Sequence, residues 1–441
     1  MKRWLGGLLV VILLFLAAYF VYRLPPVYAR LGWRVESLRT RVIYTLRPPE
    51  QAVFVPRSVA GVPANLPEPA VRTTRTVPVE TEAPTEAPAV PAGSPTAEPA
   101  APTPTFTPGP TATPLPGRAV LNGVVHEYQQ MNNCGPATLS MALSYWGWQG
   151  NQTNTRAVLR PNFATVDDKN VNMDEMVAYV QDFTGLQAAA RAGGDLATLK
   201  ALIAAGFPVM IEKGFQPAGE DWMGHYELLS GYDDAYQVFY AQDAYIMADL
   251  PVPYADLSER WWRDFNHQFL VVYPPEREAE LQAALGAYVD PAYGYTYGAE
   301  QARQETAALS GRDAYFAWFN LGSNRVALGD YEGAAAAYDN AFVLYSHLPV
   351  EERPWRMLWY QSGPYQAYYQ TGRYDDVLAL GNQTLATVGR PILEESFYWL
   401  GMARAATGDL EKAIEDFRAA VAINPDSTLA RQELMRLGAE P

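Results

Sequence analysis

Residues 64–117, which include TEAPTEAPAVPAGSPTAEPAAPTPTFTPGPTATPLPG, contain almost nothing that could be buried in a core. Recurrent proline fixes φ and removes backbone donors, so this Pro/Thr-rich segment is expected to be a disordered stalk, extended and polyproline-like. At about 3.1 Å per residue such a spacer could reach on the order of 100 Å or more, lifting the residues after it away from a surface. It divides the 441 residues into a short leading piece and a large trailing one, and any fold must respect that division.

The leading piece contains WLGGLLVVILLFLAAYFVY at 4–22, without a charge. Nineteen residues at 1.5 Å each give about 28 Å, close to the hydrocarbon thickness of a bilayer. Lys2 and Arg3 precede the run and no small-x-small cleavage site comes after it, so a retained single transmembrane helix is expected. Over 27–46, Tyr28, Leu31, Val35, Leu38, Val42 and Leu46 recur at helical spacing between Pro25–Pro26 and Pro48–Pro49. This juxtamembrane amphipathic helix could lay its arginines on anionic headgroups or self-associate as a short coil. Arg23, Arg30, Arg34, Arg39 and Arg41 outnumber Lys2 and Arg3, a bias that retains the bulk of a protein in the cytoplasm. The stalk, whose composition is typical of extracytoplasmic spacers, argues the other way. The expected location is the cell membrane, single-pass, with the folded domains extracytoplasmic.

The trailing piece is ordinary globular sequence. The whole chain is 49% hydrophobic and 18% charged, and a net charge of −15 argues against a nucleic-acid partner. Apolar periodicity predicts helices over 134–146, 173–184 and 195–205, then strands over 207–215, 225–233, 237–244 and 268–274. Helices first and strands later, without βαβ alternation, indicate an α+β domain over 118–275. From 276 to 441 the pattern is helical. AWFNLGSNRVALGDYEGAAAAYDNAFVLY and FYWLGMARAATGDLEKAIEDFRAAVAINP superpose: Leu321–Gly322 on Leu400–Gly401, Gly329–Asp330 on Gly408–Asp409, Ala334 on Ala413, Tyr338 on Phe417, Ala341 on Ala420. Between them QAYYQTGRYDDVLALGNQTL reads as a degenerate middle unit. This closely resembles the tetratricopeptide (TPR) repeat, which implies an all-α solenoid that recruits a protein partner.

Cys134 is the one cysteine, so it cannot form an intramolecular disulfide. With only His126, His225, His267 and His347 beside it, a structural zinc site is also poorly supplied. Asn133-Cys134-Gly135-Pro136 opens a helix with Leu139, Met141, Ala142, Leu143 and Tyr145 on its apolar face. At such a helix start free amides and the dipole favour a thiolate over the model thiol of pKa about 8.5. Downstream, GHYELLSGYDD puts His225 at the start of a strand, and Asp243 ends the next one. An antiparallel turn at Asp233–Asp234 would bring the two side by side, with Asp243 orienting the imidazole. Asp233, Asp234 and Asp249 are the competing carboxylates. His126, His267 and His347 read as structural, and Trp146 and Trp148 as core or cleft wall.

The order Cys, His, Asp, with CGPA at the helix start and HY-x-x-x-x-GYDD, resembles the bacteriocin-processing (double-glycine) peptidases and their papain-like relatives over roughly 118–275. The resemblance implies a papain-like cysteine peptidase domain. Cys134 would be the nucleophile, His225 the base and acid, and Asp243 the orienting carboxylate. In that family a glutamine shortly before the cysteine helps form the oxyanion hole. Gln129 and Gln130 both stand near enough, and the longer papain-like spacing favours Gln129. The chain lacks the nucleotide-binding motif and six-helix membrane unit of exporter-linked members. A peptide or protein substrate is implied, and neither metal nor organic cofactor is called for. An acyltransferase or amidase using the same residues is the first rival, and a non-catalytic binding scaffold the second.

Overall fold

The structure, a computed structural model, describes residues 13–14, 16–24, 27, 38, 42, 53–57, 114–161, 170–217, 219–388 and 392–440. Its centre is a sheet of seven strands: Arg118–Val120 (β1), Gln187–Arg191 (β2), Val209–Phe215 (β3), Met223–Asp233 (β4), Val238–Gln242 (β5), Leu250–Pro253 (β6) and Phe269–Tyr273 (β7). The order is β2-β7-β3-β4-β5-β6, with β1 added beside β4, and each of these pairings is antiparallel.

Helices cover both faces of the sheet. Leu139, Met141 and Leu143 of Cys134–Tyr145 (α1) pack with Met176 and Val180 of Met173–Phe183 (α3) on Met210, Leu228 and Leu270. Gln152–Leu159 (α2) lies between α1 and α3 in the chain. Leu199 and Leu202 of Leu196–Ala204 (α4) pack on Val209, Ile211, Leu229 and Val271. Successive residues 209, 210 and 211 thus enter opposite cores, as the two-residue period of a strand requires. A doubly covered sheet also explains why β7, Phe-Leu-Val-Val-Tyr, is buried throughout and shows no alternation.

The remaining helices are Glu278–Leu285 (α5), Pro291–Ala308 (α6), Gly311–Ala327 (α7), Tyr331–His347 (α8), Gly363–Gln370 (α9), Tyr374–Ala386 (α10), Glu394–Thr407 (α11), Leu410–Ile423 (α12) and Thr428–Arg436 (α13). α7/α8, α9/α10 and α11/α12 are the repeat pairs, and the degenerate middle unit has the shortest first helix. A Cβ on Gly322 would lie 2.7 Å from the Tyr338 ring, and one on Gly401 2.7 Å from the Phe417 ring. The residues superposed in the sequence are therefore the ones that let each helix pair cross closely.

One expectation changes. Leu281 and Leu285 of α5, with Tyr288, join the core beneath the sheet, so the first turns after 276 complete the α+β domain instead of starting the repeat stack. The repeats also do not stand apart from that domain, as quasi-one-dimensional arrays usually do. Trp222 and Phe265 share a core with Phe316, Tyr365 and Met357. Gly214 and Gly224 face each other in the β3–β4 ladder and make this contact possible. A Cβ on Gly214 would lie 1.9 Å from Asp264 Oδ2, and one on Gly224 2.8 Å from Phe265 and 3.0 Å from Tyr360. Asp264 accepts from Trp222 Nε1 at 2.8 Å and pairs with Arg312 of α7. Asn266 and Asn324 exchange side-chain amide hydrogen bonds of 2.9 Å.

The stalk reading is corrected at its C-terminal end. Tyr232 Oη donates to the Pro116 carbonyl at 2.6 Å and the Asp234 N–H to the Gly117 carbonyl at 2.8 Å, so 116–117 already belong to the fold. Upstream, Phe54 is buried at 6% exposure and meets Phe342 edge-on at 5.0 Å between ring centroids. Residues 53–57 and the described residues from 116 onward belong to one compact unit. Residues 53–57 and 116–117, on either side of residues 64–113, therefore both lie on that unit. Residues 64–113 themselves lie outside the described residues. So do 4–12 and 15 of the apolar run and all but 27, 38 and 42 of the amphipathic segment. Residues 13–14 and 16–23 are helical, and among the described residues no helix is long and apolar enough to cross a membrane.

Candidate active site

Cys134 is the first residue of α1, with Asn133 as its N-cap. Pro136 in the first turn lacks an N–H that the helix could not have used. The loop before Cys134 is fastened by buried polar groups. The Gln152 amide donates to Tyr128 O at 2.8 Å and Glu127 Oε2 at 3.1 Å. Its Oε1 accepts from the Gln130 N–H at 2.8 Å and Asn133 Nδ2 at 3.0 Å. Arg160, buried, donates to the Asn132 carbonyl. Asn132 itself sits at φ 47°, a left-handed conformation asparagine tolerates well.

His225 is the third residue of β4, and Asp243 comes directly after β5. Their antiparallel pairing brings His225 Nε2 to 3.0 Å from Asp243 Oδ2. Asp243 Oδ1 accepts the N–H groups of Tyr245 at 2.7 Å and Ile246 at 2.8 Å. Asp243 is 0% and His225 2% exposed. The competing carboxylates are occupied elsewhere: Asp233 by Arg118, Asp234 by Lys200, Asp249 by Gln242. With Nε2 on Asp243, the other ring nitrogen is left for Cys134, whose thiol is lowered by its interaction with His225. Phe215 stacks on the imidazole at 4.6 Å and 25°, holding the ring plane and excluding water from that face.

Charge is shared accordingly. Burial alone pushes the Cys134 thiol up. The hydrogen bond and charge of His225, with N–H groups of Tyr226 and Gly135, outweigh it and hold the thiol below its ordinary value. Burial pulls His225 down, but the Asp243 carboxylate beside it pushes the imidazolium up to about 10. Burial likewise opposes the Asp243 charge, and the His225 imidazolium overcomes it, keeping the carboxyl well below the usual range. Both shifts act in the direction of a thiolate beside an imidazolium.

Gln129 donates its backbone N–H to Ala244 O at 2.8 Å, beside Asp243. Its side-chain carbonyl is buried and meets no partner among the described residues. The Gln130 side-chain carbonyl, by contrast, accepts from Arg156. Of the histidines read as structural, His126 comes nearest: its Nε2 is 3.0 Å from the Asp243 backbone carbonyl. His267 is driven by burial down to about 4, away from this cluster, and His347 is exposed at the end of α8. Trp146 Nε1 donates to Val272 O at 2.8 Å, and Trp148 packs at the edge of the α1 core.

Besides the groups that fasten the loop before Cys134, three more escaped the sequence reading. Lys213, opposite His225 in the ladder, makes a buried 2.6 Å ion pair with Glu227, and its charge helps hold Asp243 ionised. Arg356 Nη1 donates to Trp222 O at 3.1 Å. The Tyr360 ring packs on Gly224, where a Cβ would lie 3.0 Å from it, and burial pushes the Tyr360 phenol up to about 12. The last two lie in the 349–362 insertion between repeat pairs, so the repeat region grips the strand just before His225. No local pattern marks them.

Residues 122–268 match the family described as Peptidase C39 like, and 394–427 match the tetratricopeptide repeat. The first interval contains Gln129, Cys134, His225 and Asp243, and the second covers α11 and α12. Among solved structures the chain is similar to a crystal structure of a protein assigned as a C39-like peptidase from Bacillus anthracis. Identity is 17%, over 35% of this chain and 96% of that one, with a TM-score of 0.28. No curated protein matches the chain.

Proposed function

We propose that the chain is a cysteine peptidase that hydrolyses peptide bonds in a peptide or protein substrate. The observation that carries this is the buried His225–Asp243 pair, with His225 Nε2 3.0 Å from Asp243 Oδ2, beside a Cys134 thiol at the start of α1 that His225 holds below its ordinary value. The thiolate of Cys134 attacks the scissile carbonyl carbon. The resulting oxyanion is met by the Cys134 backbone N–H and the Gln129 side-chain amide, and one such donor is worth about 10²–10³ in rate. Collapse of the tetrahedral adduct breaks the C–N bond as the His225 imidazolium gives its proton to the leaving amine. Water, deprotonated by His225, then attacks the thioester and returns the thiolate. Asp243 keeps the ring oriented throughout, and no step requires a metal or organic cofactor.

The same residues would serve an acyltransferase or amidase, with the acyl group passed to a nucleophile other than water or the bond cleaved not being a peptide. A pure scaffold is disfavoured, because a buried Asp243 whose main partner is an imidazole costs folding energy that binding alone does not require. A peptidyl electrophile directed at thiols separates the readings. Stoichiometric labelling of Cys134, lost in His225→Ala, is expected. Absence of labelling in the wild type would return the chain to the scaffold class. The uncharged run 4–22 supports a single-pass membrane anchor, with the folded unit on the extracytoplasmic side and the repeats recruiting a protein partner. Protease shaving of intact cells, read through the C-terminal repeats, tests that placement. Protection until the membrane is broken would put the enzyme inside.

A further inference from the structure

Residues 53–57, Val-Phe-Val-Pro-Arg, lie against the repeats, with contacts spanning 319 positions of sequence. Phe54 and Pro56 are buried while Val55 and Arg57 are exposed, the alternation of an extended peptide laid along a surface. Phe54 meets Phe342 of α8 edge-on and leans on Tyr368 of α9 at 6.1 Å. The Arg57 N–H donates to Asp376 Oδ1 at 3.0 Å, and its guanidinium pairs with Asp375, both carboxylates being in the first turn of α10. Asp376 is also held by Arg373 at 2.7 Å, so the acidic end of the groove is prearranged. Beyond Phe54 a pocket continues between Tyr345, Trp355, Leu380 and Thr384.

An aromatic socket, a slot for proline and a carboxylate pair for a cation are the parts of a peptide-recognition groove. We propose that this groove binds an extended aromatic–x–Pro–Arg segment and that Phe54–Arg57 is its occupant in cis. One ring, one proline and an exposed ion pair make a contact that tethering keeps closed and a free peptide can contest. The groove is independent of the chemistry at Cys134.

The test uses the full chain and a fluorescent peptide of residues 51–59, QAVFVPRSV, read by anisotropy. Arg57→Glu, at an exposed position, should bind the peptide about tenfold more tightly than wild type, because its own segment no longer competes. Phe54→Ala should do the same, with circular dichroism confirming that both variants are folded. Asp375→Asn added to Arg57→Glu should remove the gain, and a peptide with its Phe changed to Ala should not bind. The proposal fails if neither variant binds the peptide, or if wild type binds it as tightly as they do. A concentration-dependent dimer that Arg57→Glu dissolves would overturn the cis assignment in favour of exchange between copies.

Discussion

At the scale of single residues, the proton inventory of Cys134 and His225 sets how reactivity varies with pH. The thiol lies below its ordinary value and the imidazolium near 10, so the reactive ion pair occupies the window between them. Activity should rise through the thiol's pKa and fall near the imidazole's. Asp243→Asn removes the charge that stabilises the imidazolium, so His225 should titrate lower and the alkaline limb should move to lower pH. Iodoacetamide rates on Cys134 across pH measure this directly, and an unmoved alkaline limb would show that Asp243 does not set it. The same depressed Asp243 value bears on stability. Its contribution is fully present above the unfolded carboxyl pKa and is lost as pH falls through the folded one. Cys134 and His225 were legible because each sits beside a local signature, a capped apolar helix and an alternating strand. Asp243 was reached only through the geometry of one hairpin. Glu127, Gln152, Arg160 and Lys213 were not legible, because their roles depend on which loops meet and nothing in their own neighbourhoods announces it.

At the scale of elements, β4 is gripped just ahead of His225 by the insertion between repeat pairs. Arg356→Ala deletes the bond to the Trp222 carbonyl, a charged hydrogen bond worth about 1.5–3 kcal/mol. We expect a lower melting temperature and, because the strand start loosens, slower alkylation of Cys134 at pH 6, with Arg356→Lys restoring part of both. A drop in stability with unchanged alkylation would mean that the grip only holds the domains together. The helices at α1, α3 and α4 and the strands β3, β4, β5 and β7 agree with the sequence pattern to within about two residues, since amphipathic or continuous apolar runs mark them. β2 was missed because Gln-Ala-Ala-Ala-Arg has little intrinsic strand preference and is recruited by pairing with β7. β1, β6 and α2 were too short to carry a period.

At the scale of the whole molecule, the α+β domain and the repeats share a core and belong to one compact unit. Deleting 310–441 would expose Trp222 and Phe265, each worth about 1.5–3 kcal/mol when buried. It would also strip Asp264 of Arg312, and unpairing a buried charge costs about 3–5 kcal/mol. Burial already pushes the Asp264 carboxyl up to about 6 with its cation in place. Against a typical stability of about 5–15 kcal/mol, the truncated chain should show no cooperative unfolding and no turnover, as calorimetry and a peptide assay would read. A folded, active truncation would show that the shared core is dispensable. This unity could not be read from the sequence, where a helical repeat pattern carries no sign of the flat spot at Gly214 and Gly224. The seating of Phe54 and Arg57 has one more consequence. A single cut anywhere in 58–113 would not at once separate residues 53–57 from the repeats. The two fragments would stay associated through that contact and part only on dilution, so under the proposed anchoring, release from a surface would need both a nick and a competitor for the groove.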